Sequence, residues 1–109
     1  MPNSTPSAAR KDAHMTRMAG NLFLYSALAV ELREIRRLVE SIAETLVSDP
    51  RFVEDYLQQL QYFDLVIQRT DESADLLDRL AGGSQAHDAI AAVRLSSVQA
   101  RLRDALAGS

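Results

Sequence analysis

Apolar residues recur at alternating spacings of three and four through the first half of the chain. This first seam consists of Tyr25, Leu28, Leu32, Ile35, Val39, Ile42 and Leu46. Such alternation is the heptad pattern of an amphipathic helix that packs against a neighbouring helix along one side. Charged residues fill many of the intervening positions, which is typical of a solvated outer face. The pattern predicts a helix over residues 19–47.

A second seam of the same period follows a helix-start signal, Asp49-Pro50. Proline is favoured at the first helical position because its missing N–H would be unpaired there anyway. The second seam consists of Tyr56, Leu60, Phe63, Ile67, Thr70, Ala74, Leu77 and Ala81. It ends at Gly82-Gly83, where glycine can take the left-handed conformation that closes a helix. A second helix is therefore predicted over residues 50–81.

A third apolar stripe follows Ser84 and predicts a shorter helix over residues 85–107. Its members are Ala91, Leu95, Val98, Leu102 and Ala105. Because short connections between long helices favour antiparallel neighbours, the predicted fold is all-α: a long antiparallel hairpin plus a third helix packed on it. We expect one helical domain over residues 19–109, preceded by a mobile leader over residues 1–18 that is rich in Pro, Ser and Ala.

The predicted hairpin carries more apolar surface than two helices can cover between them. The surplus includes Phe23, Leu38, Val47, Leu57 and Val66. A second copy of the chain would cover it by completing a four-helix core across a two-fold axis. We therefore expect a homodimeric four-helix bundle, with a monomeric three-helix bundle as the alternative.

Composition agrees with helices rather than a sheet, because aromatic residues make up only 6% of the 109 residues and strands favour aromatic and β-branched side chains. The N-terminal residues lack the apolar core of a signal peptide. No apolar run approaches the roughly 20 residues that span a bilayer. We expect a cytoplasmic protein that does not bind membranes.

Charge is concentrated in the second predicted helix and is acidic. Residues 49–83 carry eight acidic and three basic side chains. A nucleic-acid-binding surface shows the opposite bias, a cluster of basic residues on one face. Nucleic acid is therefore not expected as a partner.

The most informative polar pair is Asp64 and Gln68, a carboxylate and an amide four residues apart in the second helix. This spacing places both on one helix face, with their Cβ atoms roughly 5–6 Å apart, so the two groups can address one bound centre. The acidic run that follows is expected to be a solvated face, because a carboxylate-bridged metal site would need Glu-x-x-His motifs from two helices. That run comprises Asp71, Glu72, Asp75 and Asp78.

The segment around this pair, LQYFDLVIQR at residues 60–69, resembles the signature helix of the CheZ-type chemotaxis phosphatases. An aromatic pair, an aspartate and a glutamine stand at matching positions of a long helix. The resemblance is close over these ten residues and extends to residues 20–82 in pattern. In length the chain is similar to the short CheT-like branch of that family.

The resemblance implies a phosphatase that accelerates loss of the aspartyl phosphate from a CheY-like response regulator in chemotaxis or another two-component pathway. Gln68 would orient the attacking water, and Asp64 would engage the regulator's active-site lysine. Mg²⁺ would be supplied by the regulator, so no cofactor and no metal site are expected in this chain. The expected docking contacts are Gln61, Leu65, Asp71 and Glu72.

Two other functions stay open on the residues alone. A non-catalytic binding module would use the same face to recognise a signalling partner, and Ile67, where the family usually has a small residue, favours it. A purely structural adaptor would have Asp64 and Gln68 as ordinary surface. Replacing Gln68 by alanine would abolish the acceleration in the first case, whereas in the second it would leave binding intact and the dephosphorylation rate unchanged. In the third case, replacing both Asp64 and Gln68 by alanine would be silent in every assay.

Overall fold

The computed structural model describes residues 5–108, and their side chains from residue 9 onward. Helix is the only regular secondary structure in this part of the chain, which confirms the predicted all-α class. The helices are α1 (Thr5–Val47), α2 (Pro50–Asp55), α3 (Leu57–Ala81), α4 (Ala86–Ala91) and α5 (Ser96–Ala107). None of the described helices combines the length and apolar character that crossing a membrane requires.

The two long helices, α1 and α3, pack against each other and form most of the tertiary structure. Their register is antiparallel: Arg33 of α1 bonds to Asp78 of α3, and Arg36 three residues later bonds to Asp71. The molecule is a rod of 78 × 25 × 17 Å. The predicted long hairpin is therefore confirmed.

The first seam is only partly the surface that faces α3. Tyr25, Leu32, Val39 and Leu46 are half-buried, whereas the alternate members Leu28, Ile35 and Ile42 are exposed. The positions that complete the covered line are Leu22, Ala29 and Ala43. The apolar face of α1 is therefore wider than one seam, and α3 covers only one side of it.

The predicted leader is helical wherever the structure describes it. Residues 5–18 form the first turns of α1, whereas residues 1–4 of the predicted leader lie outside the described residues. This stretch is rich in Ala, Met, Arg and Lys, which are strong helix formers. Its one proline, Pro6, stands at the second position of α1, where no intrahelical N–H bond is lost. All side chains from residue 9 to residue 21 are exposed.

The second predicted helix starts and ends where expected but is divided near its beginning. Asp49 caps α2 by accepting a hydrogen bond from the Arg51 N–H at 3.0 Å, and Gly83 ends α3 with a φ of 94°. The division falls at Tyr56, whose φ of −128° and ψ of 33° leave the helical region. The Tyr56 ring stacks on Phe52 at a centroid distance of 4.8 Å, which stabilises this bend.

The third predicted helix is two helices, α4 and α5, joined by residues 92–95. The prediction of one continuous helix over residues 85–107 is therefore wrong. Side chains from elsewhere in the chain form hydrogen bonds with backbone groups that the break leaves unpaired.

Candidate functional site

Asp64 and Gln68 lie on α3 near the middle of the hairpin, and both side chains are exposed. The seam residues beside them, Phe63 and Ile67, are half-buried and anchor this stretch of α3. Within the described residues, neither Asp64 nor Gln68 takes part in a side-chain hydrogen bond or an ion pair. The pair is therefore held on a rigid helix with its polar atoms available to another molecule.

Asp64 lines an open hollow of about 330 Å³ between α3 and α1. The α1 side of this hollow contributes two further carboxylates, Glu40 and Glu44. Glu40 is paired with Arg36 across 2.6 Å, whereas no ion pair joins Glu44 to any described residue. We call this surface the acidic hollow. Its charge suits the ammonium group of a lysine.

Gln68 lines a different hollow of about 320 Å³, formed by α3 and the α4–α5 connection. Its other walls are Asp71, Glu72, Arg94 and Leu95. We call it the glutamine hollow. Asp64 and Gln68 thus line two different open surfaces. The surface beside Asp64 is lined by carboxylates, whereas the surface beside Gln68 also contains an exposed arginine.

The expected docking contacts divide into exposed and engaged residues. Gln61 and Leu65 are exposed, and the exposed Tyr62 and Val66 extend the apolar surface beside Leu65. Asp71, in contrast, is half-buried and bonds to Arg36 Nη1 at 3.0 Å. Only the first two expected contacts therefore have side chains free for a partner without breaking an internal pair.

Glu72, the last expected contact, is buried, with 4% of its surface exposed. Its Oε2 accepts a hydrogen bond from the Arg94 backbone N–H at 3.0 Å, and its Oε1 accepts one from Arg94 Nε at 2.6 Å. The backbone bond, followed by the side-chain bond and the charge of Arg94, lowers the pKa of the Glu72 carboxyl against the opposing effect of burial. The same carboxylate raises the pKa of Arg94. Glu72 therefore holds the α4–α5 connection on α3 and does not offer itself to a partner.

The remaining acidic residues of this run, Asp75 and Asp78, stay about half exposed to solvent but pair with α1, so the expected solvated face is corrected only in part. Arg33 Nη2 donates hydrogen bonds to Asp75 at 3.2 Å and to Asp78 at 2.6 Å. These bonds raise the pKa of Arg33. Exposed ion pairs contribute little stability one at a time, but a row of them fixes the register of α1 on α3. That register brings Glu40 and Glu44 beside Asp64.

The break between α4 and α5 is stabilised by two side chains that the sequence patterns did not single out. Gln99 Nε2 lies within 3.1–3.3 Å of the carbonyl oxygens of Ile90, Ala91 and Val93. Arg79 donates to the carbonyl oxygen of Ala89 through Nε and Nη2. These bonds satisfy carbonyls at the end of α4 that a helix terminus otherwise leaves unpaired. They thereby fix the position of Arg94.

Comparison of this chain with protein-family models, with curated proteins and with solved structures gives no match.

Proposed function

We propose that this protein is an auxiliary phosphatase that accelerates hydrolysis of the aspartyl phosphate of a CheY-like response regulator in the cytoplasm. The observation that carries the proposal is the Asp64–Gln68 pair. Both side chains are exposed on a rigid helix, and neither forms a side-chain hydrogen bond or an ion pair with any residue that the structure describes. The helix fixes the backbone of both residues, so binding a second molecule has to order only the two side chains.

The amide of Gln68 is suited to hold one water molecule behind a phosphoryl group. Its oxygen accepts a hydrogen bond from the water while its nitrogen donates one to it or to a neighbouring oxygen. Phosphoryl transfer depends mainly on positioning and on charge stabilisation, and glutamine orients the attacking water in GTPases. The regulator provides the aspartyl phosphate and its Mg²⁺, so Gln68 has only to place the water.

Asp64 and the acidic hollow are suited to the other half of the task, docking. A lysine beside the regulator's phosphorylated aspartate would bind Asp64, with Glu44 adding attraction from α1. Leu65 and Tyr62 offer exposed apolar surface next to the pair, 37% and 55% exposed respectively. A charged contact flanked by apolar surface sets the orientation of a partner on the rod.

The direct test is the lifetime of the phosphorylated regulator. Each CheY-like regulator encoded by the same genome is phosphorylated in vitro, and phosphate loss is followed with and without this protein. We expect a substoichiometric amount to shorten the lifetime of at least one regulator severalfold. If the protein binds a regulator without changing the lifetime, it is a binding module. If it neither binds nor accelerates, the structural adaptor is the better description.

Replacing Asp64 by asparagine is expected to raise KM for the phosphorylated regulator about tenfold, since one charge-assisted contact at an interface is lost. The kcat should change by less than about twofold, because the water is held by Gln68. Steady-state phosphate release measures both constants. Asp104→Asn, which changes an exposed aspartate on α5, is the control and should leave both constants unchanged. A large fall in kcat for Asp64→Asn would contradict a docking role.

We further propose that the working form is a homodimer with a four-helix core. An outer stripe on α1 stays uncovered by α3: Leu24, Leu28, Ile35, Leu38 and Ile42, all exposed. The chain has a surface of 8140 Å², whereas a compact monomer of its mass has about 6,000 Å². Its radius of gyration is 20.0 Å, against about 13 Å for a compact domain of this length. An excess of about 2,000 Å² per chain is enough for a permanent dimer interface.

Replacing Ile35 by aspartate is expected to convert the dimer to monomer at micromolar concentration, because it places an unpaired charge in the centre of the outer stripe. Sedimentation equilibrium measures the change. Val30→Asp is the matched control: Val30 is also exposed on α1, at 63%, but lies off the outer stripe. Equal dissociation constants for the two variants and the unmodified protein would contradict this interface.

A further inference from the structure

The glutamine hollow contains a cation that the proposed water-positioning role of Gln68 does not use. Arg94 and Gln68 line the same open space of about 320 Å³ although they are 26 residues apart in sequence and belong to different elements. The side chain of Arg94 is 78% exposed. An arginine therefore lines the same open space as Gln68.

Arg94 is held in place at two points. Glu72 accepts hydrogen bonds from the backbone N–H of Arg94 and from its Nε. The Nη1 and Nη2 groups of Arg94 donate no hydrogen bond to any described residue. The guanidinium thus has its inner edge bound and its outer donors free. Such a group is pre-organised to bind an anion, because its orientation is already fixed before the anion arrives.

The two carboxylates of the hollow oppose an anion less than free carboxylates would, because each is paired, but the pairing with Glu72 also offsets part of the charge of Arg94. Asp71 bonds to Arg36 Nη1 at 3.0 Å, and Glu72 bonds to Arg94 Nε at 2.6 Å. Leu95 forms an apolar wall beside them. When a docked partner displaces water from this apolar wall, the local dielectric constant falls. The attraction between a guanidinium and a phosphoryl oxygen is then stronger. Among the residues that line this hollow, Arg94 supplies the cationic hydrogen-bond donors.

We propose that Arg94 is a second catalytic residue, which binds the phosphoryl oxygens of the regulator's aspartyl phosphate while Gln68 positions the attacking water. This inference rests on the proposed phosphatase function. Negative charge on the phosphoryl oxygens has to be neutralised as the transition state forms, and arginine does this in other phosphoryl-transfer enzymes. Glu72 is a positioning residue in this arrangement, because it acts through Arg94.

The reaction balances without a further co-reactant. The water oxygen bonds to phosphorus as the bond between phosphorus and the aspartyl oxygen breaks, and that electron pair stays on the aspartate carboxylate. The water loses its proton to solvent or to the phosphate product. Inorganic phosphate and the unphosphorylated regulator result. Arg94 keeps its proton throughout, since the guanidinium of arginine is not deprotonated in proteins.

The experiment compares Arg94→Ala and Arg94→Lys with the unmodified protein by steady-state phosphate release from the phosphorylated regulator. We expect Arg94→Ala to lower kcat about 10²-fold, the usual loss for one electrostatic group in an active site, with KM changed less than about threefold. Guanidinium ions added at millimolar concentration should restore part of that kcat. Arg101→Ala, an exposed arginine on α5, is the control and should leave kcat unchanged.

Arg94→Lys keeps the test decisive if the alanine variant is unstable. Its ammonium can bind Glu72 and preserve the fold, but it leaves no planar pair of donors for the phosphoryl group. We expect a native circular dichroism spectrum and a kcat at least tenfold lower. A lysine variant with unchanged kcat, or an alanine variant in which only KM rises, would overturn the inference while leaving Gln68 as the water-positioning residue. No acceleration by the unmodified protein would instead overturn the proposed function itself.

Discussion

Replacing Gln68 by alanine is expected to reduce kcat for dephosphorylation about 10²-fold, because a misplaced nucleophile loses the advantage of alignment with phosphorus. Helix content and dimerisation should not change, since the Gln68 side chain is exposed and makes no internal bond among the described residues. Affinity for the phosphorylated regulator should also be preserved. Rapid-quench measurement of phosphate loss, together with a binding titration, gives both quantities on the same samples.

Two further variants separate the amide's position from its mere presence. Gln68→Asn keeps the amide but withdraws it by one methylene, and we expect it to lose most of the acceleration as well. Gln59→Ala removes an exposed glutamine from the same helix and should behave as the unmodified protein. If Gln68→Ala retained full activity, Gln68 would not position the water and the resemblance of residues 60–69 would carry no functional information.

The hairpin was predictable because its determinants are local and repeated. Asp49-Pro50 and Gly82-Gly83 mark the start of α2 and the end of α3 in the sequence itself, and the structure places both boundaries there. The identity of the covered side of α1 was not predictable. Two apolar lines run side by side along α1, and only the position of α3 decides that Leu32 is half-buried while Ile35 is exposed.

The break between α4 and α5 has the opposite origin, since it depends on contacts between residues that are separated in sequence. Glu72 meets Arg94 over 22 residues of sequence, and Arg79 meets the Ala89 carbonyl over ten. No short-range signal such as a proline marks residues 92–95. From sequence alone, a glutamate in an acidic helix is predicted to be exposed to solvent, because its partner is not known. Glu72 was therefore expected to be available as a docking contact.

The candidate site was predictable only where it depends on local sequence spacing. The spacing of Asp64 and Gln68 places both on one face of α3. Both side chains are exposed, as contact with a partner protein requires. The groups around them come from other elements: Glu44 from α1 and Arg94 from the α4–α5 connection. Only the tertiary structure brings these side chains to the pair, and they turn a common sequence spacing into a specific chemical hypothesis.

Replacing Glu72 by alanine is expected to lower the free energy of unfolding by about 1–3 kcal/mol, the usual effect of leaving buried hydrogen-bonding groups without a partner. The Arg94 backbone N–H loses its acceptor, and the connection that positions α4 and α5 is released from α3. Urea unfolding at a fixed protein concentration measures the loss, since dimerisation makes stability concentration-dependent. Hydrogen exchange should increase most in residues 86–107.

The same contact predicts a pH dependence with a definite sign. The pKa of Glu72 is lowered in the folded protein from its ordinary value of 4.5, so the folded state binds this proton less readily than the unfolded chain does. The stabilisation is therefore fully present above about pH 4.5 and is lost as the pH falls through the folded-state pKa. Glu72→Gln removes this part of the dependence, whereas Glu54→Gln, an exposed glutamate on α2, should retain it. Parallel stability–pH curves for Glu72→Gln and the unmodified protein would show that the Glu72 carboxylate does not hold α4 and α5 in place.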